Sequence, residues 1–218
     1  MTPTGTNRCV PYEVTEADER ALRPFVVPAE RVKPSEVAAL RAEIEGAGRT
    51  ERRLHTFLDR HPHLVTAAFV RGGEPRWLFS EKRLHNAFRA DLVVGALYSG
   101  RSIEWQLIEL EPPKTRGIYH AKREFDDRAE EAVNQIRQWR AFIGEHRESL
   151  WKPRHRGGAT LPGIEASARG WVIVGRSDDF SPEMQRKRER LRDQEHIEVR
   201  SWDYVLKVLD ERATSTHR

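Results

Sequence analysis

The sequence predicts an α/β fold in which a mixed β-sheet is flanked by helices. Two β-rich segments, residues 89–98 and 103–111, follow one another closely, and further strand-like segments come later in the chain. Helical patterns stand before, between and after these strands. Strands that alternate with helical segments of ten or more residues are typical of α/β domains.

The length and composition of the chain set the outer limits of this fold. Its 218 residues are enough for one domain with a sizeable core. The apolar fraction of 38% is low and the charged fraction of 33% is high, so the folded body must expose long charged helix faces. We expect an extended N-terminal arm over residues 1–34, a folded domain over 35–211 and a flexible tail over 212–218.

Charge alone does not identify a partner. The 38 basic residues face 34 acidic ones, and a net charge of +4 does not by itself indicate nucleic-acid binding. Two locally basic segments, 147–156 and 186–192, either contact phosphates or form a solvated loop and helix face.

Cysteine content and hydropathy point to the cytoplasm. Cys9 is the single cysteine, so no intrachain disulfide forms and a reducing compartment is suitable. The first residues contain no apolar leader, and no run approaches the length of a membrane span. We therefore expect a cytoplasmic protein without a membrane partner.

The arm and two short helices occupy the first part of the chain. Pro and polar residues dominate the arm, in which residues 25–27 are the best strand candidates. Ser35 is predicted to be the N-cap of a helix over 36–45, because its hydroxyl accepts a backbone hydrogen bond there. A second helix over 51–60 has Leu54 on its apolar face, which is expected to pack on the sheet.

The predicted sheet follows these helices. Residues 76–81 form a strand beyond the turn at 71–75, whereas 64–70 either form the preceding strand or continue a helix. The two β-rich segments that come next are joined through a Ser-Gly pair, which predicts a β-hairpin.

A long connection separates this hairpin from the second half of the domain. Residues 114–127 are many for a connection in a compact domain, so they are either ordered over a cleft or mobile. The remaining predicted elements are a helix over 128–148, a strand over 171–174, a helix that Pro182 opens, a strand over 197–200 and a helix over 202–209.

Two carboxylates stand at the end of the second hairpin strand. Side chains alternate along a strand, so Glu109 and Glu111 are expected on the same face as Leu107. Pro112 then ends the ladder. Carboxylates that end a mostly apolar run are costly to bury unless they are paired or bind a cation. The pattern therefore allows either a metal site or ion pairs with arginines.

Asp91 lies near the start of the first hairpin strand, where it is either a turn-capping residue or part of the same site. Residues near the open end of a hairpin pair at a distance of about 5 Å. This pairing would bring Asp91 beside Glu109 or Glu111. Hard oxygen ligands of this kind suit Mg²⁺ or Mn²⁺ better than zinc, which prefers Cys or His.

The order of these residues resembles the PD-(D/E)xK phosphodiesterase superfamily. In that superfamily an Asp and a Glu bind the metal, and a Lys two residues after the Glu orients the attacking water. The corresponding triplet here is Glu109-Leu110-Glu111, so Glu111 stands where the Lys is expected. The resemblance implies a PD-(D/E)xK restriction-endonuclease-like core over residues 35–211, with a mixed β-sheet flanked by helices.

Within the superfamily the chain resembles the Shedu antiphage defence family over about residues 50–211. The motifs that carry this resemblance are, in chain order, the helix over 51–62, Arg89-Ala90-Asp91, the strand end 107–112, the helical segment 132–139, and the C-terminal segments 170–176 and 201–206. In the helical segment, Gln135 and Trp139 lie one turn apart on one face, similar to the glutamine-plus-aromatic motif of RecB-like nucleases.

The resemblance implies a magnesium- or manganese-dependent DNA endonuclease that acts in antiphage defence as a homo-oligomer. Asp91 and Glu109 would hold Mg²⁺, and Glu111 would add a ligand or act as a base. Gln135 would be a polar ligand over the site, or else a plain polar residue of an amphipathic helix. In the absence of the usual Lys, Lys114, another lysine of the connection or an arginine would stabilise the charge of the transition state.

Two other functions agree with the same residues. A catalytically degenerate nuclease-fold module would bind DNA or act as a sensor, and Glu111 in place of Lys supports it. A plain interaction domain would use the carboxylates as arginine partners. Divalent-metal binding separates the interaction domain from the other two, and metal-dependent nicking separates the nuclease from the sensor.

Overall fold

One mixed β-sheet forms the centre of the molecule in a computed structural model, which describes residues 12–46, 51–85, 88–98, 102–113, 127–152, 160–176 and 182–215. The strands found in these ranges are β1 (Val26–Val27), β2 (Arg76–His85), β3 (Phe88–Tyr98), β4 (Ser102–Leu110), β5 (Arg169–Ile173) and β6 (Ile197–Arg200). Their order in the sheet follows the chain. The first four strands pair antiparallel, whereas β4, β5 and β6 pair parallel.

Helices cover both faces of this sheet. Those in the described ranges are α1 (Glu16–Leu22), α2 (Pro34–Glu45), α3 (Glu51–Arg60), α4 (Pro62–Phe69), α5 (Asp127–Trp151), α6 (Pro182–Glu195) and α7 (Trp202–Thr214). One layer of buried apolar side chains joins α1, α5 and α6 to one face, and a second joins α2, α3, α4 and α7 to the other. The predicted α/β fold, a mixed sheet flanked by helices, is confirmed.

The predicted hairpin is formed by β3 and β4. The register runs from Leu92 opposite Ile108 to Tyr98 opposite Ser102. Strand β3 begins at Phe88, so Asp91 is the fourth residue of the strand. The Ser-Gly pair between the strands lies outside the described residues, as does most of the connection that follows β4.

Residues 64–69 belong to helix α4 and Val70 is its C-cap, so the strand alternative for this segment is wrong. Pro62 occupies the first turn of the helix, where its missing N–H is no loss. Most residues of α4 are buried. A short helix that is buried nearly all round has no polar face, and for this reason its apolar run resembles a strand.

The start of α2 also differs from the prediction. The helix begins at Pro34 with Lys33 as its N-cap, so the prediction that Ser35 caps it is wrong. Proline is suited to the first helical position because its fixed φ already matches the helix. The Glu36 carboxylate accepts a hydrogen bond of 3.0 Å from the Lys33 N–H and so completes the cap.

The described part of the N-terminal arm is folded, so the prediction of an extended arm is wrong there. Helix α1 follows Thr15, whose hydroxyl forms a capping box with the Asp18 carboxylate. Leu22 of this helix is fully buried and belongs to the core of the sheet. At the other end of the chain, α7 continues to Thr214 and so enters the predicted tail.

Across the described residues, no helix combines the length and the apolar character that are needed to cross a bilayer.

A hydrogen-bonded contact between Glu36 and His63 ties α2 to α4. His63 Nε2 lies 3.1 Å from Glu36 Oε2, and the His63 side chain is buried. Burial acts to raise the pKa of Glu36, but the hydrogen bonds from the Lys33 N–H and the His63 ring outweigh it and lower the pKa overall. The ionised carboxylate therefore stabilises the fold.

We expect Glu36→Gln to make the free energy of unfolding less sensitive to a fall in pH. The folded-state pKa of Glu36 lies below its unfolded value of about 4.3, so the contribution is present above that value and is lost as the pH falls through the folded-state pKa. The substitution should lower the free energy of unfolding by about 1 kcal/mol near pH 7 and by less near pH 3. Urea unfolding at both pH values measures this, with Glu30→Gln as an exposed control. An equal loss at both pH values would contradict the role of Glu36.

Candidate functional site

The acidic end of the sheet lies on the central strand β4. From Trp105 to Leu110 every residue of β4 is buried, because the strand lies between β3 and β5 and helices cover both faces of the sheet. Glu109 lies in this run, and only 6% of its surface is exposed. An ionised carboxylate at this depth is stable only when hydrogen bonds or a cation compensate for its lost hydration.

Asp91 lies across from Glu109 on β3. The ladder pairs Leu92 with Ile108, and one further step of the antiparallel register sets Asp91 opposite Glu109. Asp91 Oδ2 accepts a hydrogen bond of 2.8 Å from the Leu110 N–H. The hairpin therefore brings the two carboxyl residues to the same end of the sheet.

His55 joins this end of the sheet from helix α3. Its Nε2 lies 3.8 Å from Asp91 Oδ1, and 8% of the residue is exposed. The Asp91 carboxylate thus has the Leu110 N–H at one oxygen and the imidazole near the other. His55 was not singled out from the sequence, because no zinc-binding spacing involves it.

Glu111 follows the last residue of β4 and is held by its backbone. Its N–H donates to the Ile173 carbonyl at 2.8 Å, and its own carbonyl accepts the Trp202 indole N–H at 2.8 Å. Its carboxylate lies 3.6 Å from the Arg128 guanidinium, at the start of α5. Glu111 therefore has the arginine partner that one interpretation of the sequence expected. The sequence did not single out Arg128, although it opens the long helix after the connection.

Gln135 lies on helix α5, not on the strand that carries Glu109. Gln135 is half-buried on α5, one turn before the fully buried Trp139. Within the described residues its side chain makes no hydrogen bond with any of the three carboxylates. Lys114 lies outside the described residues.

The donors at this end of the sheet fit a hard divalent cation. Asp91 and Glu109 offer two carboxylates, one of them already oriented by a backbone N–H. Among the residues that the structure describes, no group of three or more His, Cys, Asp or Glu side chains is arranged to hold a metal ion. Mg²⁺ needs no such group, because it usually keeps several waters and is bound by one or two carboxylates. Zinc, which is bound by closed sets of Cys and His, fits less well.

Comparison with known proteins relates this geometry to a family. A family model described as Shedu protein SduA, C-terminal, matches residues 48–206, a span that contains helix α3, the hairpin and the carboxylates. A comparison with curated proteins finds no match. The family match points to a role in antiphage defence. Because it covers well over half of the chain, this protein belongs to the Shedu family.

Proposed function

We propose that this protein is a metal-dependent DNA endonuclease that acts in antiphage defence. The observation that carries the proposal is the position of Asp91 opposite Glu109 at one end of the central hairpin of a Shedu-family chain. Two carboxylates on adjacent strands are suitable ligands for Mg²⁺ or Mn²⁺. We further propose that DNA is the substrate, that the nuclease domain spans residues 35–211 and that the protein works as a homo-oligomer.

The metal ligands in this proposal are Asp91 and Glu109. Mg²⁺ bound there would polarise the scissile phosphate and lower the pKa of a bound water. The Leu110 N–H orients the Asp91 carboxylate through a hydrogen bond, and the His55 ring lies 3.8 Å from its other oxygen. Groups that orient a ligand in this way strengthen metal binding, because less freedom is lost when the ion arrives. His55 is therefore a positioning residue for Asp91.

The positive charge that lysine supplies in related nucleases comes from Arg128 in this proposal. Its guanidinium lies 3.6 Å from Glu111 and its side chain is 56% exposed, so an incoming phosphate has access to it. Arginine stays charged at any physiological pH and binds phosphate oxygens through two N–H groups. Lys114, three residues after Glu111, is the second cation proposed for this role. Either cation would stabilise the negative charge that develops on the phosphate.

Glu111 and Gln135 have supporting roles in the proposal. Glu111 is the base that accepts the proton of the attacking water, or a further ligand, and its fixed backbone restricts where its carboxylate can reach. Gln135 positions the phosphate or the water through its amide.

A sensor without turnover is the second candidate function, and one observation favours it. In active members of the superfamily, a lysine occupies the position of Glu111. In this chain the position holds a glutamate whose charge is compensated by Arg128. Such a module would bind DNA and a divalent ion without cleaving the phosphodiester.

Cleavage of plasmid DNA separates these functions, with Asp91→Asn as the decisive variant. Asparagine keeps an acceptor for the Leu110 N–H and removes the charge, so the fold should be retained. We expect supercoiled plasmid to be nicked with Mg²⁺ or Mn²⁺ by the parent protein and not by the variant. Calorimetry should show Mn²⁺ affinity reduced by about tenfold or more.

Asp59→Asn is the matched control for this experiment, because Asp59 is exposed on α3. It should bind Mn²⁺ and cleave like the parent. Unchanged Mn²⁺ affinity in Asp91→Asn would remove Asp91 from the metal site. Metal binding without any nicking by the parent protein would favour the sensor.

We expect Gln135→Ala to lower the cleavage rate more than it lowers the affinity for DNA. A single amide contributes positioning, whereas the affinity for DNA depends mainly on charge. The cleavage rate should fall by about tenfold or more. Cleavage kinetics and a DNA-binding isotherm measure the two effects, and Gln138→Ala, exposed on the same helix, is the control. Equal cleavage by Gln135→Ala and the parent would make Gln135 a structural residue.

We expect Glu111→Lys to abolish cleavage and to weaken Mn²⁺ binding. The new ammonium would stand beside both the Arg128 guanidinium and the metal, and like charges repel strongly in a partly desolvated site. Loss of a general base lowers a rate by about 100-fold or more. The neutral variant Glu111→Gln distinguishes loss of the base from added repulsion, since it should cleave poorly while Mn²⁺ binding falls less. Nicking that appears or increases in Glu111→Lys, with metal still bound, would support the degenerate-nuclease interpretation.

A further inference from the structure

A cavity of about 600 Å³ opens at the end of β4 that lies away from the carboxylates. It forms because β5 begins at Arg169, which pairs with Gln106, and in the described sheet the earlier residues of β4 have no neighbour on that side. Glu104 lines the cavity and precedes Glu109 by five residues on the same strand. This spacing corresponds to about 16 Å. The cavity is therefore separate from the candidate metal site.

Aromatic side chains form one wall of the cavity. Trp171 packs edge-on against Phe69, with ring centroids 5.4 Å apart, and lies nearly parallel to Tyr204 at 6.3 Å. The Trp171 indole N–H donates to Oε1 of the buried Gln106 at 2.6 Å, which fixes the plane of the ring. Trp171 and Phe69 are buried and Tyr204 is half-buried, so this wall offers ring edges and part of Tyr204 to a ligand.

Some of the charged residues around the cavity are already neutralised by one another. Arg200 lies 3.1 Å from the Glu198 carboxylate, and its guanidinium stacks 4.8 Å from the centre of the Tyr204 ring. Glu165 pairs with Arg147 at 3.3 Å. The charged lining residues outside these pairs are two arginines and one glutamate, which leaves a small net positive charge.

Arg71 and Arg169 supply that remaining positive charge. Both residues line the cavity and are exposed, and neither guanidinium forms an ion pair with a carboxylate in the part of the chain that the structure describes. Tyr98 holds the backbone at Arg71, because its hydroxyl donates to the Arg71 carbonyl at 2.7 Å. Two arginines on a fixed backbone are suited to phosphate, whose oxygens accept paired N–H groups.

Glu104 provides an acceptor in the same cavity. Its side chain is exposed, and among the described residues it forms no ion pair. Acidic residues in nucleotide sites accept hydrogen bonds from the hydroxyls of the ribose. An apolar ligand would cover this carboxylate and the two arginines without replacing their hydration, so it fits the lining poorly.

We propose that this cavity binds a nucleotide. The base lies against the aromatic wall, the phosphate contacts Arg71 and Arg169, and Glu104 accepts from the sugar hydroxyls or from a base amino group. The volume is suitable, since small-molecule sites span about 300–1,000 Å³. A base joined to a phosphate occurs both in a free nucleotide and at the end of a nucleic-acid strand. The proposal does not depend on nuclease activity.

Titration of the full chain with AMP tests this proposal, in buffer without divalent metal. We expect calorimetry to show AMP binding with a Kd in the micromolar to low millimolar range. Arg71→Ala and Arg169→Ala should each weaken binding by about tenfold, because each removes a charge-assisted contact to phosphate. Arg20→Ala, an exposed arginine on α1, is the matched control and should bind like the parent. Thermal unfolding of each variant checks that the fold is retained.

Further ligands separate the parts of the proposal. Adenosine and inorganic phosphate should each bind more weakly than AMP, because each lacks one half of the contacts. A 5′-phosphorylated single-stranded oligonucleotide that displaces AMP would support the proposal and identify a strand end as the source, whereas AMP binding that the oligonucleotide leaves unchanged would support a free nucleotide. Three results would overturn the proposal. The first is the absence of AMP binding at several millimolar, and the second is AMP that binds Arg71→Ala and Arg169→Ala as tightly as the parent. The third is inorganic phosphate that binds as tightly as AMP.

Discussion

The pairing of β4 on both of its sides is the constraint on which the rest of the structure depends. This strand is antiparallel to β3 and parallel to β5, so its backbone groups are satisfied and its side chains from Trp105 to Leu110 are buried. A buried strand tolerates few polar residues. The two in this buried run, Gln106 and Glu109, are therefore informative. Gln106 is bonded to Trp171, whereas Glu109 lies opposite Asp91.

The same strand separates two kinds of chemistry. Near its C-terminal end lie Asp91 of β3 and Glu109 of β4, and the backbone of Glu111 is hydrogen-bonded to Ile173 of β5 and to Trp202 of α7. At its N-terminal end, the late start of β5 leaves a cavity with aromatic and arginine side chains. We propose a divalent cation at the first end and a nucleotide at the second. Because both are built on a rigid strand, a ligand at either end meets groups that are already positioned.

The hairpin and the order of its carboxylates were predictable because they depend on local patterns. Alternation along each strand and the Ser-Gly pair between them are enough to bring Asp91 and Glu109 to one end of a sheet. Helix α4 was ambiguous because its burial on nearly all sides removes the polar face that marks a helix. His55 and Arg128 were not found, since each meets its carboxylate only through tertiary packing, which no spacing in the sequence records. The cavity was missed for the same reason, because its lining comes from segments far apart in the chain.

The central claim is that Asp91 and Glu109 bind a catalytic divalent ion together. Crystals grown with Mn²⁺ and measured for anomalous scattering test it most directly, since manganese shows its own position without reference to activity. The account predicts an anomalous peak that lies about 2.2 Å from carboxylate oxygens of both residues, with water completing the shell. A protein saturated with Mn²⁺ that shows no peak between these two carboxylates, or that shows its peak at other residues, would contradict it.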